Sequence, residues 1–276
     1  MLKKIIFLAA LSLIFMANGV KSQSYDEWVS RSYDFVDQDS LPQAEECLKR
    51  AMRLEPANGR NGLLFQNLGT LQRRQGKLAE AEISYNCAVA MLPEVANVRA
   101  NRAQLYAEME RYAEAIDDYS FLLDREPHNE SWLYERALCR LMSADTTGAR
   151  LDLELIDKFN PQSAKSRLGM AVVYKTMHEY ALAEELYNAL IEANPNSWSL
   201  LRDRAEVYYL SKRMGAALED INASIGKNPN DPMSYILRAQ IRYARGDREY
   251  ARRDLNTAIE MGISPEVVSK LVENYR

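Results

Sequence analysis

The chain has 276 residues, 47% of them hydrophobic and 27% charged, a balance that fits one or two folded domains and excludes a disordered or collagen-like polymer. Thirty-five Lys and Arg against 39 Asp and Glu give a formal net charge of -4, without the basic surplus that phosphate neutralisation demands of a nucleic-acid binder. The first element in chain order reads as an export signal: Lys3 and Lys4, then an apolar stretch over residues 5–17, then small residues at Ala17, Gly19 and Ser22. That stretch falls short of the roughly 20 apolar residues a membrane-spanning helix needs. Cleavage is expected after Ser22, with Gly19 as the alternative site and retention as an anchor the other reading. Residues 1–22 are therefore expected to be a signal peptide. The mature chain, 23–276, is expected to be exported, periplasmic or secreted, without membrane insertion. With no cysteine near the cleavage point, a lipoprotein anchor is not expected.

From residue 25 onward the chain repeats itself. Pro56, Pro93, Pro127, Pro161, Pro195 and Pro229 follow one another at a spacing of 37 and then 34. Ala44, Ala81, Ala115, Ala149, Ala183, Ala217 and Ala251 keep the same phase, as do the small residues Ser32, Gly69, Ala103, Ala137, Ala171, Ala205 and Ala239. Three markers in register set repeats near 25–58, 62–95, 96–129, 130–163, 164–197, 198–231 and 232–262. Each holds two amphipathic segments, in the third repeat 98–110 and 111–123. Small residues let the paired helices approach, so Ala103 and Ala115 are expected to face one another. The proline ends or follows the second helix, because it cannot continue the hydrogen-bond ladder.

The period of 34 with these markers resembles the tetratricopeptide repeat, best in the second repeat with Leu68-Gly69, Ala81, Tyr85, Ala88 and Pro93. The resemblance implies an all-α fold. It would be a right-handed superhelical solenoid of about seven helix–turn–helix units, running as one domain through 23–276. Two departures stand out. Three extra residues near Gly59-Arg60-Asn61 are expected to widen the turn after the first repeat. In the seventh, Ile263 replaces the proline, and Ser264-Pro265 is expected to open a capping helix over 264–275, with Val267, Val268, Leu271, Val272 and Tyr275 as its apolar stripe.

Two charged positions vary together within the chain. Arg102, Arg136, Arg204 and Arg238 recur at one repeat position, and Asp118, Asp152, Asp220 and Asp254 at another in the same four repeats. The second and fifth repeats lack both, having Leu68 with Ser84 and Met170 with Leu186, while the first has Arg31 with Cys47. In an antiparallel hairpin the two positions lie nearly opposite. The expected result is a bidentate ion pair inside each of the four repeats, and the competing reading is an arginine array that binds anions.

Chemistry is sparse. There is no Gly-rich phosphate loop, nucleophile elbow or paired-histidine motif. His128 and His178 are far apart, and Cys47, Cys87 and Cys139 have no metal-type spacing and read as small core residues. The remaining carboxylates are expected on exposed helical faces. No enzyme activity, cofactor or metal is expected. The resemblance instead implies a concave groove lined by the first helix of each repeat, for a protein or peptide partner. Carried onto this chain, the groove residues are Asn67, Thr70, Asn97, Asn101, Gln104, Tyr134, Leu138, Lys165 and Arg202. The strip runs from amides through an apolar middle, where Leu138 and Leu168 are either groove or inter-repeat core, to a charged end with Ile236 and Leu237 exposed. An extended peptide would bond to Asn67, Asn97, Asn101 and Gln104 and be anchored on Tyr134, with Asn101 and Tyr134 exposed in the free protein. The lysines and arginine with which some family members clamp a terminal carboxylate are missing, since Val29, Tyr33, Asn67, Asn97 and Asn101 stand there. Self-association through the ends of the array, where Trp28 is available, is the alternative function.

Overall fold

The computed structural model describes residues 23–273, so the signal segment expected at 1–22 lies outside the described residues, as does Tyr275. Among the described residues there are fifteen α-helices and no strand. They come as hairpins, one per repeat: α1 (Tyr25–Asp37) with α2 (Leu41–Leu54), α3 (Asn61–Arg74) with α4 (Leu78–Met91), and α5 (Ala96–Glu108) with α6 (Tyr112–Leu123). Then follow α7 (Glu130–Met142) with α8 (Thr146–Phe159), α9 (Ala164–Thr176) with α10 (Tyr180–Ala193), α11 (Trp198–Leu210) with α12 (Met214–Lys227), and α13 (Pro232–Arg245) with α14 (Arg248–Glu260). A last helix, α15, covers Pro265–Glu273. In the third repeat both helices begin and end within about two residues of the segments read from the sequence. None of the described helices is long and apolar enough to cross a membrane.

Helices of 12 to 14 residues are marginal in isolation, so packing and end chemistry hold these. Ser24 and Glu27 form a reciprocal capping box on α1, and Asn129, Asp145, Ser163, Ser197 and Asp231 cap later helices through their side chains. Every first helix ends in a left-handed residue at the same repeat position. Gly76 and Gly246 take it freely, whereas Asp39, Glu110, Ala144, His178 and Lys212 adopt φ between 53° and 65° at a cost of about 1 kcal/mol or more each. The turn repeats because each is closed by the same backbone bond, such as Arg111 N–H to Tyr106 C=O at 2.8 Å and Arg213 N–H to Tyr208 C=O at 2.8 Å.

The chain divides into two compact units, one up to Leu122 and one from Leu123 onward. In the first, Tyr25, Ala44, Leu48, Ala51, Leu64, Leu68 and Leu71 form the core under Trp28, Val29 and Phe35. The three extra residues before α3 are pinned by Asn61, whose side chain is buried. Its amide donates to the Glu55 and Pro56 carbonyls at 2.8 and 3.2 Å and accepts from the Tyr25 hydroxyl at 3.0 Å. In the second unit the core runs through Leu133, Ala137, Leu153 and Val173, then Ala171, Ala183 and Tyr187, then Ala205, Ala217 and Ile221, and ends at Ala239, Ala251 and Leu255. The alanines in phase are fully buried, Ala103 and Ala115 among them.

In α15, Val268 closes on Ala239, Ala251 and Leu255. Ser264 accepts from the Val267 N–H at 3.4 Å. Val267, expected in the apolar stripe, is exposed, because one turn of a short helix presents Val268 rather than its neighbour to the core. The side chains of Leu271 and Val272 lie outside the described set.

The four covarying arginines each fork onto the aspartate of the same repeat. Arg102 reaches Asp118 at 2.7 and 2.8 Å, Arg136 reaches Asp152 at 2.6 and 3.0 Å, Arg204 reaches Asp220 at 2.7 and 2.8 Å, and Arg238 reaches Asp254 at 2.7 and 3.0 Å. All four carboxylates are buried. A second arginine reaches three of them: Arg99 at Asp118, Arg140 at Asp152 and Arg242 at Asp254. The outer nitrogen of Arg102, Arg204 and Arg238 donates to an asparagine of the preceding repeat, Asn86, Asn188 and Asn222. The fork thus sets register inside a repeat, and the third bond sets it between repeats.

Candidate functional site

In the first unit α3 and α5 lie side by side and present the amide-rich strip. Asn67 is half-buried beside a cleft of about 160 Å³ that Tyr33, Val36, Thr70 and Arg74 also line. Its amide donates to the Tyr33 hydroxyl at 3.4 Å. Thr70 is committed inward: its hydroxyl meets the buried Tyr85 hydroxyl at 3.0 Å and donates to the Gln66 carbonyl at 3.1 Å. Gln104 is exposed and accepts from Arg73 at 3.2 Å, which ties α3 to α5. Asn97 is exposed and Asn101 is half-buried rather than exposed, because α5 packs along α3 at that point. Neither amide has a hydrogen-bond partner among the described residues. The strip therefore keeps two open amides of the four expected.

In the second unit the first helices carry a different surface. Tyr134, expected to be exposed, is half-buried against the core around Leu153, so it is part packing and part surface. Burial, with Glu135 and Asp203 nearby, pushes its phenol above the usual range. Lys165 is exposed, donates to the Ser131 hydroxyl at 3.0 Å and sits 5.9 Å from the Tyr134 ring centre. Leu168 packs on the core around Ala171 and Tyr187, so of its two readings inter-repeat core holds, and Leu138 is half-buried.

Arg202 donates to Asp231 at 3.1 Å and to Asp203 at 3.2 and 3.3 Å, stacked 5.3 Å over Trp198. Burial raises the Asp203 carboxyl, and Arg202 offsets part of this. Arg202, Asp203, Glu206, Met233 and Gln240 line a pocket of about 340 Å³. Its floor is Ile236 and Leu237, expected to be exposed but 3% and 8% accessible. Leu237 is locked against Ala205, Tyr208 and Ile221, since the repeat's inner face and its groove face meet at that position.

Several polar groups were not anticipated. The general expectation of exposed carboxylates fails at Glu45 and Asp231, both buried. Glu45 collects Lys49 at 2.6 Å, Lys77 at 2.9 Å, Gln75 at 3.0 Å and Gln72 at 3.3 Å. It fills with charge the second repeat's missing Arg–Asp pair, since Ser84, at the aspartate position, donates to Gln72 at 2.7 Å. The cysteines are free, Cys47 and Cys139 buried and Cys87 only half-buried. Among the described residues no cluster of metal-ligating side chains occurs.

The tetratricopeptide-repeat family model matches residues 100–164 and 168–232. A solved tetratricopeptide-repeat protein from Parabacteroides merdae is 38% identical, covering 92% of this chain and 99% of its own, with a TM-score of 0.86. The solved Cut9–Hcn1 hetero-tetramer of the APC/C is similar in fold alone, at 12% identity over 96% of this chain and 58% of that one, TM-score 0.65. The mouse tetratricopeptide repeat protein 16 is 29% identical over 121 residues, and the matched region spans 41% of this chain but 16% of the mouse protein.

Proposed function

We propose, from the premise that this chain belongs to the tetratricopeptide-repeat family, that it is a non-enzymatic scaffold which holds an extended protein segment on the first-helix faces of its repeats. One observation carries the reading: Asn97 and Asn101 stand on one helix of the first unit with amides that none of the described residues engages, beside Asn67 and Gln104. An amide both donates and accepts, which is what an extended backbone requires, and a merely solvated helix face would carry Lys and Glu instead. The positively headed apolar segment of residues 3–17 supports an exported protein, so the partner is sought in the cell envelope.

A displayed peptide library selected on the full-length protein supplies a ligand, and its affinity is then measured on Asn97→Ala and Asn101→Ala. Each variant is expected to weaken binding by about 1 kcal/mol, roughly fivefold, the size of one lost hydrogen bond. Circular dichroism should be unchanged, because neither amide bonds to the fold. Wild-type affinity in both variants would remove the peptide from this face.

A further inference from the structure

The internal repeats provide their own comparison. Four arginines fork onto an aspartate within the repeat. The first repeat keeps the arginine, Arg31, but has Cys47 where the aspartate belongs. Arg31 has no carboxylate partner among the described residues, and its one bond is a long contact of 3.5 Å with Gln23. Where the aspartate would stand, a pocket of about 310 Å³ opens, lined by Trp28, Arg31, Phe35, Glu46, Cys47 and Arg50 among others. Two guanidinium groups approach the Trp28 ring centre, Arg31 at 5.6 Å and Arg50 at 4.8 Å, and Arg31 also lies 5.5 Å from the Phe35 ring. Burial pushes the Cys47 thiol up, Arg31 and Arg50 pull it down, and Glu46 adds to the rise, so all three charges reach this position. Glu46 is occupied by Arg50 at 2.8 Å and Arg53 at 2.9 Å, which leaves this corner with a positive surplus.

We infer that the first repeat is an acceptor site for a carboxylate carried on an apolar group of a partner, such as an acidic or terminal residue beside an aromatic or aliphatic side chain, which supplies to Arg31 the anion that Asp supplies in four other repeats. The pocket's shape and charge agree on this ligand. Stacking against the aromatic rings leaves the Arg31 guanidinium edge free to fork onto an incoming carboxylate, and the apolar lining covers the ligand's body. The site shares no residue with the strip of Asn97 and Asn101 and does not depend on the peptide reading of that strip.

The test uses the full-length protein and two small probes, 3-phenylpropanoate and its neutral amide, titrated while the Trp28 indole resonance is followed and assigned through Trp28→Phe. The carboxylate is expected to shift Trp28 in the wild type. Cys47→Asp puts the anion of the other repeats into the fork and should weaken binding about tenfold or more, as should Arg31→Gln, the size expected for one charge-assisted bidentate contact. The neutral amide should bind as poorly as the carboxylate does to Arg31→Gln. If the amide binds as well as the acid, or if Cys47→Asp and Arg31→Gln bind like wild type, the inference is wrong. A dimer by light scattering in which Trp28 is shielded from acrylamide would give this face to a second copy and overturn it as well. Should Cys47→Asp not fold, Arg31→Gln decides alone, since its side chain is exposed.

Discussion

The pair Arg204–Asp220 permits a test of what the repeated ion pairs contribute, because the same chain contains its apolar replacement. Asp152 and Asp254 each hold a second arginine, whereas Asp220 is held by Arg204 alone, through two bonds of 2.7 and 2.8 Å. One repeat earlier, Met170 and Leu186 occupy the two equivalent positions and pack on the core without charge. Arg204→Met with Asp220→Leu therefore transplants a pairing the fold already accepts. Asp220→Leu alone strands a guanidinium whose side chain is 19% exposed, with only Asn188 left at 2.7 Å. Breaking a buried pair from one side costs about 3–5 kcal/mol, and the residual exposure points to the lower end, about 3. Arg204→Met should cost about 3 as well, since it leaves the buried Asp220 carboxylate without its two bonds. The double variant should lose about 2 kcal/mol or less, which makes the coupling about 4 kcal/mol. Urea unfolding followed by circular dichroism measures all four species, with constant slope as the check on cooperative behaviour in a repeat array. Additive losses, or a double variant less stable than Asp220→Leu, would refute the view that the pair specifies register rather than supplying net stability.

Three further outcomes follow from particular contacts. Ala183→Leu should cost about 1–3 kcal/mol or more in urea, because Ala183 is fully buried against Ala171 and Tyr187 and the added atoms have no space; an unchanged midpoint would contradict the packing. Burial alone would raise the Glu45 carboxyl, but its bonds from Lys49, Lys77, Gln75 and Gln72 prevail and hold its pKa at about 2 against an ordinary 4.5. That contribution is complete above pH 4.5 and is lost as the pH falls through about 2, so the stability gap between wild type and Glu45→Gln should close between pH 5 and pH 2. A gap independent of pH would refute it. Tyr85 and Tyr187 share one repeat position, but the Tyr85 hydroxyl meets Thr70 at 3.0 Å while that of Tyr187 is buried with no partner among the described residues. Tyr85→Phe should cost about 1 kcal/mol and Tyr187→Phe nothing, by thermal unfolding; equal losses would refute the assignment.

The hairpin architecture was legible because the three markers that carry it answer to hard constraints. A fully buried Ala183 or Ala217 tolerates no larger side chain, and Pro93 or Pro195 cannot extend a helix, so both recur in phase whatever the surface does. The left-handed turns were not legible, since five of the seven that end first helices use Asp39, Glu110, Ala144, His178 and Lys212 in place of glycine. There the closing backbone bond outweighs local preference. The groove positions were harder still. A first helix has its core face and its binding face side by side, so spacing alone did not separate Ile236 and Leu237, which are floor, from Gln240, which is wall. One signal was available and unused: Asn86, Asn188 and Asn222 each stand sixteen residues before a forked arginine, the same separation as that arginine from its aspartate.

That lattice narrows where binding can reside. An arginine such as Arg204 has its charge matched by a buried aspartate and three of its five N–H donors committed to that aspartate and an asparagine, so the forked arginines are poor sites for a further anion. Binding capacity belongs to positions that leave the pattern. Arg31 departs because its partner became Cys47, and it opens onto a pocket. Asn97 and Asn101 stand apart because none of the described residues completes their amides. The second repeat departs too, with Leu68 and Ser84, but there Gln72, Glu45 and Lys77 restore polar bonds from within. A departure from the repeat that the fold repairs is read as structural, and one that it leaves open is where we propose a partner binds. On that criterion the first repeat and the α5 face are where substitutions should change binding without changing stability.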